Sequence, residues 1–228
     1  MNHSADNKRI AKNTFLLYLR MLFNMVVSLY TSRIILKILG VDDFGIYNVV
    51  GGIIVMFTFL NSAMAASTQR FLSFELGKRE NIHKVFSSSV LIHRIIALIV
   101  LLSGETIGLW FVNTQLNIPS LRMDAANVVY QCSIFICLLN IISIPYNATI
   151  IAHEKMKAFA YISIIETSLK LVAVLLLPIF SSDKLKLYAL FLLGISIIIR
   201  LLYTQYCYKN FPEIRIAHII LICQKRIW

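Results

Sequence analysis

Thr31 to Gly77 reads TSRIILKILGVDDFGIYNVVGGIIVMFTFLNSAMAASTQRFLSFELG, and the fold turns on this stretch. A long apolar run ends at Leu39-Gly40. A short acidic segment follows, Val41-Asp42-Asp43. A second long apolar run then starts at Phe44-Gly45 and closes with Gln69-Arg70. Gly ends a helix at low cost and Asp caps a new one, so Gly40 and Asp42-Asp43 read as stop and start signals. The stretch predicts two antiparallel membrane-spanning helices joined by a tight loop.

Composition agrees. The 228 residues are 58% hydrophobic and 14% charged, with mean hydropathy +0.76. Soluble domains are about half apolar and about a quarter charged. The apolar runs exceed the roughly 18 residues that mark a spanning helix. They are continuous rather than alternating, which excludes an outer-membrane barrel. The run from Phe15 is too long for a signal-peptide core, contains Arg20 and lacks a small-residue cleavage site, so it reads as the first span. Cys132, Cys137, Cys207 and Cys223 show neither a CxxC pair nor metal spacing.

Six spans are predicted: about 13–39, 44–76, 85–112, 121–152, 158–180 and 185–208. This is an all-α polytopic protein with one bundle over 1–208 and a short interfacial tail over 209–228. The net charge of +11 fits the positive-inside rule rather than nucleic-acid binding. Lys8, Arg9, Lys12, Lys78, Arg79, Lys84, Lys155, Lys157, Lys209 and Arg215 fall on one side. Lys37, Arg122, Lys184 and Lys186 fall on the other. That bias places both termini in the cytoplasm. The run Ile214 to Cys223 is too short to cross a bilayer, so the tail reads either as an interfacial segment or as the end of a longer protein cut short, a truncated gene product.

Charges inside the spans carry the functional reading, because each costs about 2.5–3.5 kcal/mol at the bilayer centre. Arg20, Asn24, Ser28 and Thr31 share a helix face. Two readings are open for this face: a cavity-lining stripe, or helix–helix hydrogen bonding with Arg20 reaching the surface. Arg33 and Lys37 read as interface anchors. Arg70 closes a small, polar face of the second span. Arg94 lies about 15 Å into the third span, too deep to reach the surface easily. Glu166 and Lys170 are spaced i, i+4 in the favourable order, as a self-neutralising pair or, facing a cavity, as an ion-coupling site. Arg200 could pair with a buried Glu or line the same cavity. Pro145, flanked by Asn140, Ser143 and Asn147, predicts a kink with polar partners. Gly104 and Gly108 form a small-xxx-small pair. No catalytic motif is present and no enzyme, metal or cofactor is expected.

Arg33-Ile-Ile-Leu-Lys-Ile-Leu-Gly40, Asp43-Phe44-Gly45-Ile46-Tyr47, Thr68-Gln69-Arg70 and Gly77-Lys78 together resemble the start of bacterial polysaccharide flippases. These are the Wzx-type O-antigen and capsule translocases of the MATE-like exporter superfamily. The resemblance covers about 8–212. It implies movement of an undecaprenyl-pyrophosphate-linked sugar repeat across the inner membrane, for surface polysaccharide or lipopolysaccharide. It also implies two six-helix bundles around a cationic cavity, alternating access and an ion gradient. On that reading the partners are the lipid-linked oligosaccharide and the bilayer, with a missing C-terminal half or other polysaccharide-assembly proteins, and no nucleic acid. Arginine suits phosphate through its bidentate fork, so Arg20, Asn24, Arg70 and Arg94 are the expected substrate cavity. Glu166 and Lys170 are the candidate coupling pair. The alternatives are a small-molecule exporter of the same superfamily, a membrane-embedded polysaccharide polymerase, and an assembly subunit without transport.

Overall fold

The computed structural model describes residues 3–55, 58–78 and 81–215, which form helices joined by short links, with no strand among them. Helix α1 covers His3–Val55 but is broken at Gly40, where φ is 80° and ψ 175°. The legs on either side are 3–39 and 41–55. Glycine adopts positive φ without a side-chain clash, which is why the break falls here. Asp42 and Asp43 are already helical. The turn is therefore narrower than the predicted acidic loop. It is needed, because the apolar segment Asn13–Gly52 has 40 residues. Unbroken it would run about 60 Å, twice the thickness of a hydrocarbon core.

The remaining elements are α2 (Thr58–Lys78), α3 (Ile82–Ser103), α4 (Leu109–Thr114), α5 (Met123–Ala152), α6 (Met156–Leu176) and α7 (Lys184–Asn210). A π-type turn, Gly104–Gly108, joins α3 to α4. Length and apolarity mark five segments able to cross a membrane: Asn13–Gly52, Ile82–Thr114, Ser120–Ala152, Met156–Ile179 and Lys184–Asn210. Helix α2, within the predicted second span, is not among them.

Partners fix the run of each helix. Asn24 donates to Ser163 (2.9 Å) and accepts from Thr167 (2.8 Å). Further on, Ile35 joins Val174 and Leu177 in one buried group. The first leg of α1 thus runs alongside α6 in the same direction. Ile46 and Val50 of the second leg share one buried group with the α5 residues from Ala125 to Ile141. Leu72 of α2 then meets Tyr146 and Ile150. These segments follow α5, which is antiparallel to α6 across the turn at 153–155. The chain therefore reverses at Gly40, as the sequence predicts.

Helix α5 is the central post. In its most apolar stretch 56% of residues are buried, against 33% or less in the other four candidate spans. Lipid supplies little hydrophobic drive between helices, so close approach and polar bonds must hold them. Both are visible where α3 crosses α5. The Tyr130 hydroxyl donates to the Gly104 carbonyl at 2.8 Å. A Cβ at Gly108 would fall on that hydroxyl. Small residues at Gly104 and Gly108 are what let the tyrosine in. Glu105, beside them, accepts from Gln131 at 3.0 Å. On the other side of α5, polar groups gather on carbonyls around Pro145. Ser143 bonds Leu139 O at 2.6 Å, Thr149 bonds Pro145 O at 2.7 Å, and Arg200 bonds Ile142 O at 2.6 Å.

At the Gly40 end, Arg122 ties three segments. It donates to Asp183 at 2.8 Å and to Asp43 at 2.9 Å. Asp183 in turn caps α7 through Leu185 N at 3.1 Å. Lys186 also bonds Asp124. At the opposite end Phe211 and Ile214 are buried against the bundle, with the Phe211 ring 4.1 Å from that of His153. The start of the expected tail is thus part of the core. The rest of the run to Cys223 lies outside the described residues.

Candidate functional site: a polar track inside the bundle

The legs and helices enclose two adjoining cavities. The larger, about 400 Å³, lies between the second leg of α1, α2, α5, α6 and α7. Its polar lining includes Asn48, Asn61, Ser133 and Lys170. The smaller, about 210 Å³, is closed by the first leg of α1 with α5, α6 and α7. Arg20, Ser143, Asn147, Ser163, Arg200 and Tyr203 line it. Asn140, Glu166 and Ser196 belong to both, so the two spaces meet there. The result is a polar track through the interior of a bundle whose outer face is apolar. Phe15, Leu22, Leu29, Leu91, Leu98 and Leu102 are among the many large exposed side chains.

Local sequence explains the lining. Ser163, Glu166 and Lys170 recur at i, i+3 and i+7 on α6. Ser196, Arg200 and Tyr203 recur at i, i+4 and i+7 on α7. Asn140 and Asn147 are two turns apart on α5. Each set occupies one helix face, and the three faces converge.

The charges in the track differ in their partners. Lys170 lies 2.6 Å from Glu166, so the predicted ion pair forms and also faces the cavity. Arg20 stacks its guanidinium over Phe159, 4.5 Å from the ring centroid. Its Nε is buried without a hydrogen-bond partner. Arg200 stacks over Tyr146 at 4.4 Å and donates to the α5 backbone. Neither arginine forms an ion pair among the described residues.

The structure does not gather the four expected cavity residues in one place. Arg20 lines the smaller chamber. Asn24 is one turn away, engaged with Ser163 and Thr167 in helix–helix hydrogen bonds. Arg70 is exposed on α2, beside an open groove of about 650 Å³ lined by Ala66, Ser67, Phe71 and Phe74. Arg94 is exposed on α3 among Leu91, Ile95 and Leu98. Arg33 and Lys37 are exposed on the first leg of α1, as interface anchors would be. The track also contains Arg200, one of whose two sequence readings was to line the cavity, and four groups that were not singled out as a site: Asn140, Asn147, Ser196 and Tyr203. Their shared faces were the available signal.

A multi-pass helical bundle with a charged, polar track inside it has the form of a membrane transporter. A profile of the family described as polysaccharide biosynthesis protein matches residues 10–226. The chain belongs to this family, that of the Wzx-type polysaccharide flippases, whose members are transporters rather than enzymes. No curated protein and no solved structure matches it.

Proposed function

We propose that this protein translocates an undecaprenyl-pyrophosphate-linked oligosaccharide repeat across the bacterial inner membrane for surface polysaccharide or lipopolysaccharide assembly. On this reading the reversal at Gly40 and α2 make the bundle six crossings, with both termini cytoplasmic. One observation carries the substrate route. Helix α2 is the long helix that is not apolar enough to count as a span, and its exposed side sets the small and polar Ala63, Ala66, Ser67 and Arg70 beside Phe71 and Phe74. Such a face is expensive against acyl chains. It is suited to a wet cleft shared with a second bundle, or with another polysaccharide-assembly protein.

The groove beside Arg70 is wide enough for a hydrated diphosphate, and guanidinium is the side chain that grips phosphate in two places. Arg94 is a second outward cation for the same anionic headgroup. The Glu166–Lys170 pair inside the track is the coupling element, exchanging an ion as the bundle changes state. Disruption of the gene in its native strain is the test. Surface polysaccharide should vanish and the lipid-linked repeat should accumulate on the cytoplasmic leaflet. Full-length gene copies should restore it, and Arg70→Ala copies should restore less than a tenth. Normal polysaccharide in the disrupted strain would refute the reading.

A further inference from the structure

We propose that the chamber lined by Arg20 and Arg200 is a resident site for a small monovalent inorganic anion, chloride above all, separate from the substrate route. Three observations converge on this. The first is charge. Two guanidiniums border the chamber, and its one carboxylate, Glu166, already holds Lys170 at 2.6 Å. The chamber wall therefore carries two cations against one carboxylate that already has a partner, in a setting where an uncompensated charge is costly.

The second is unmet hydrogen bonding. Arg20 Nε and Asn147 Oδ1 are buried without partners, and both residues line this chamber. Buried polar atoms are nearly always paired, so an unpaired guanidinium N–H in a residue of the chamber wall asks for an acceptor, and its positive charge favours an anionic one. The orphaned Asn147 oxygen calls for a water beside it. Both guanidiniums sit over aromatic rings, Phe159 and Tyr146, with Cζ 4.5 and 4.4 Å from the ring centroids. Each ring shields one side of its guanidinium, and the N–H groups are the hydrogen-bonding part left for a ligand.

The third is size. The volume is about 210 Å³, room for about seven waters at roughly 30 Å³ each. One chloride with part of its hydration shell fits. A diphosphate carrying a sugar and a polyprenyl chain does not.

The test uses the purified full chain in lipid nanodiscs, with sodium and ionic strength constant and gluconate replacing chloride. Chloride should raise the Tm saturably, by about 5–10 °C at a hundredfold excess over its dissociation constant. It should also broaden the chloride-35 resonance of the wild-type sample. Arg20→Gln and Arg200→Gln should each reduce the shift at least tenfold in apparent affinity. If Arg200→Gln fails to fold, Arg20→Gln and the wild-type resonance decide. Equal Tm in gluconate and chloride would overturn the proposal, as would a shift that survives Arg20→Gln. Competition with chloride by a short-chain prenyl diphosphate would also overturn it, by assigning the chamber to the substrate headgroup.

Discussion

The Gly40 end of the bundle and the interior chamber treat arginine in opposite ways. At the Gly40 end Arg122 stands between two carboxylates, Asp43 and Asp183, with bonds of 2.9 and 2.8 Å. In the chamber Arg20 and Arg200 lean on aromatic rings and the α5 backbone, and among the described residues no carboxylate pairs with either. A cluster in which every charged group already has an ionic partner fixes architecture. An unmatched one keeps its affinity for something that arrives and leaves. The same residue type is structural in one place and a binding element in the other, and partner chemistry decides which.

Removing Arg122 should break that comparison most sharply if it is wrong. Arg122→Ala deletes two charge-assisted bonds and leaves two carboxylates facing each other, a loss of about 3 kcal/mol in denaturation measured in mild detergent. Adding Asp43→Asn and Asp183→Asn should recover part of it. Unchanged stability in Arg122→Ala would mean the matched cluster is ornamental. Next in size is Gly108→Ala, whose new methyl meets the Tyr130 hydroxyl. The expected cost is about 1–3 kcal/mol, relieved in the double variant with Tyr130→Phe, and a double-mutant cycle reads the coupling.

Asn24→Ala removes interhelical bonds to α6 and should cost about 0.6 kcal/mol, the usual worth of such bonds in a membrane. Glu166→Gln should be smaller still in stability, about 0.3–0.5 kcal/mol for a part-exposed i, i+4 pair. Its effect on surface polysaccharide should nonetheless be a loss of tenfold or more. A large stability loss with intact polysaccharide would move this pair to the structural side of the comparison.

The sequence displays some of this arrangement and conceals the rest, for physical reasons. The reversal at Gly40 was legible because glycine and a following acidic pair are local signals. The Glu166–Lys170 pair was legible because it lies within one helix. Arg20 and Asn24 were legible as a polar face, yet periodicity does not say what that face meets. The two turned out to serve different ends, one lining a chamber and one bonding a neighbour. Arg122 read as a loop charge counted toward topology. Its bonds join residues 79 and 61 positions away, a separation that no window along the chain can sense. Arg200 was visible as a buried cation, but its attachment to Ile142 depends on how α5 and α7 pack. Helix α2 shows the same limit from the other side. Its apolar run was continuous enough to predict a span, while its small outward face was visible only once its neighbours were placed.

The one-residue turn at Gly40 also governs how the protein can be made. Two legs tied by a single glycine have no slack between them. One cannot wait in the aqueous vestibule of the insertion machinery while the other settles in lipid. They must leave it as a pair, so Arg20 and Arg33 of the first leg enter the bilayer alongside a mostly apolar companion, and the burden of insertion is set by the hairpin as a whole.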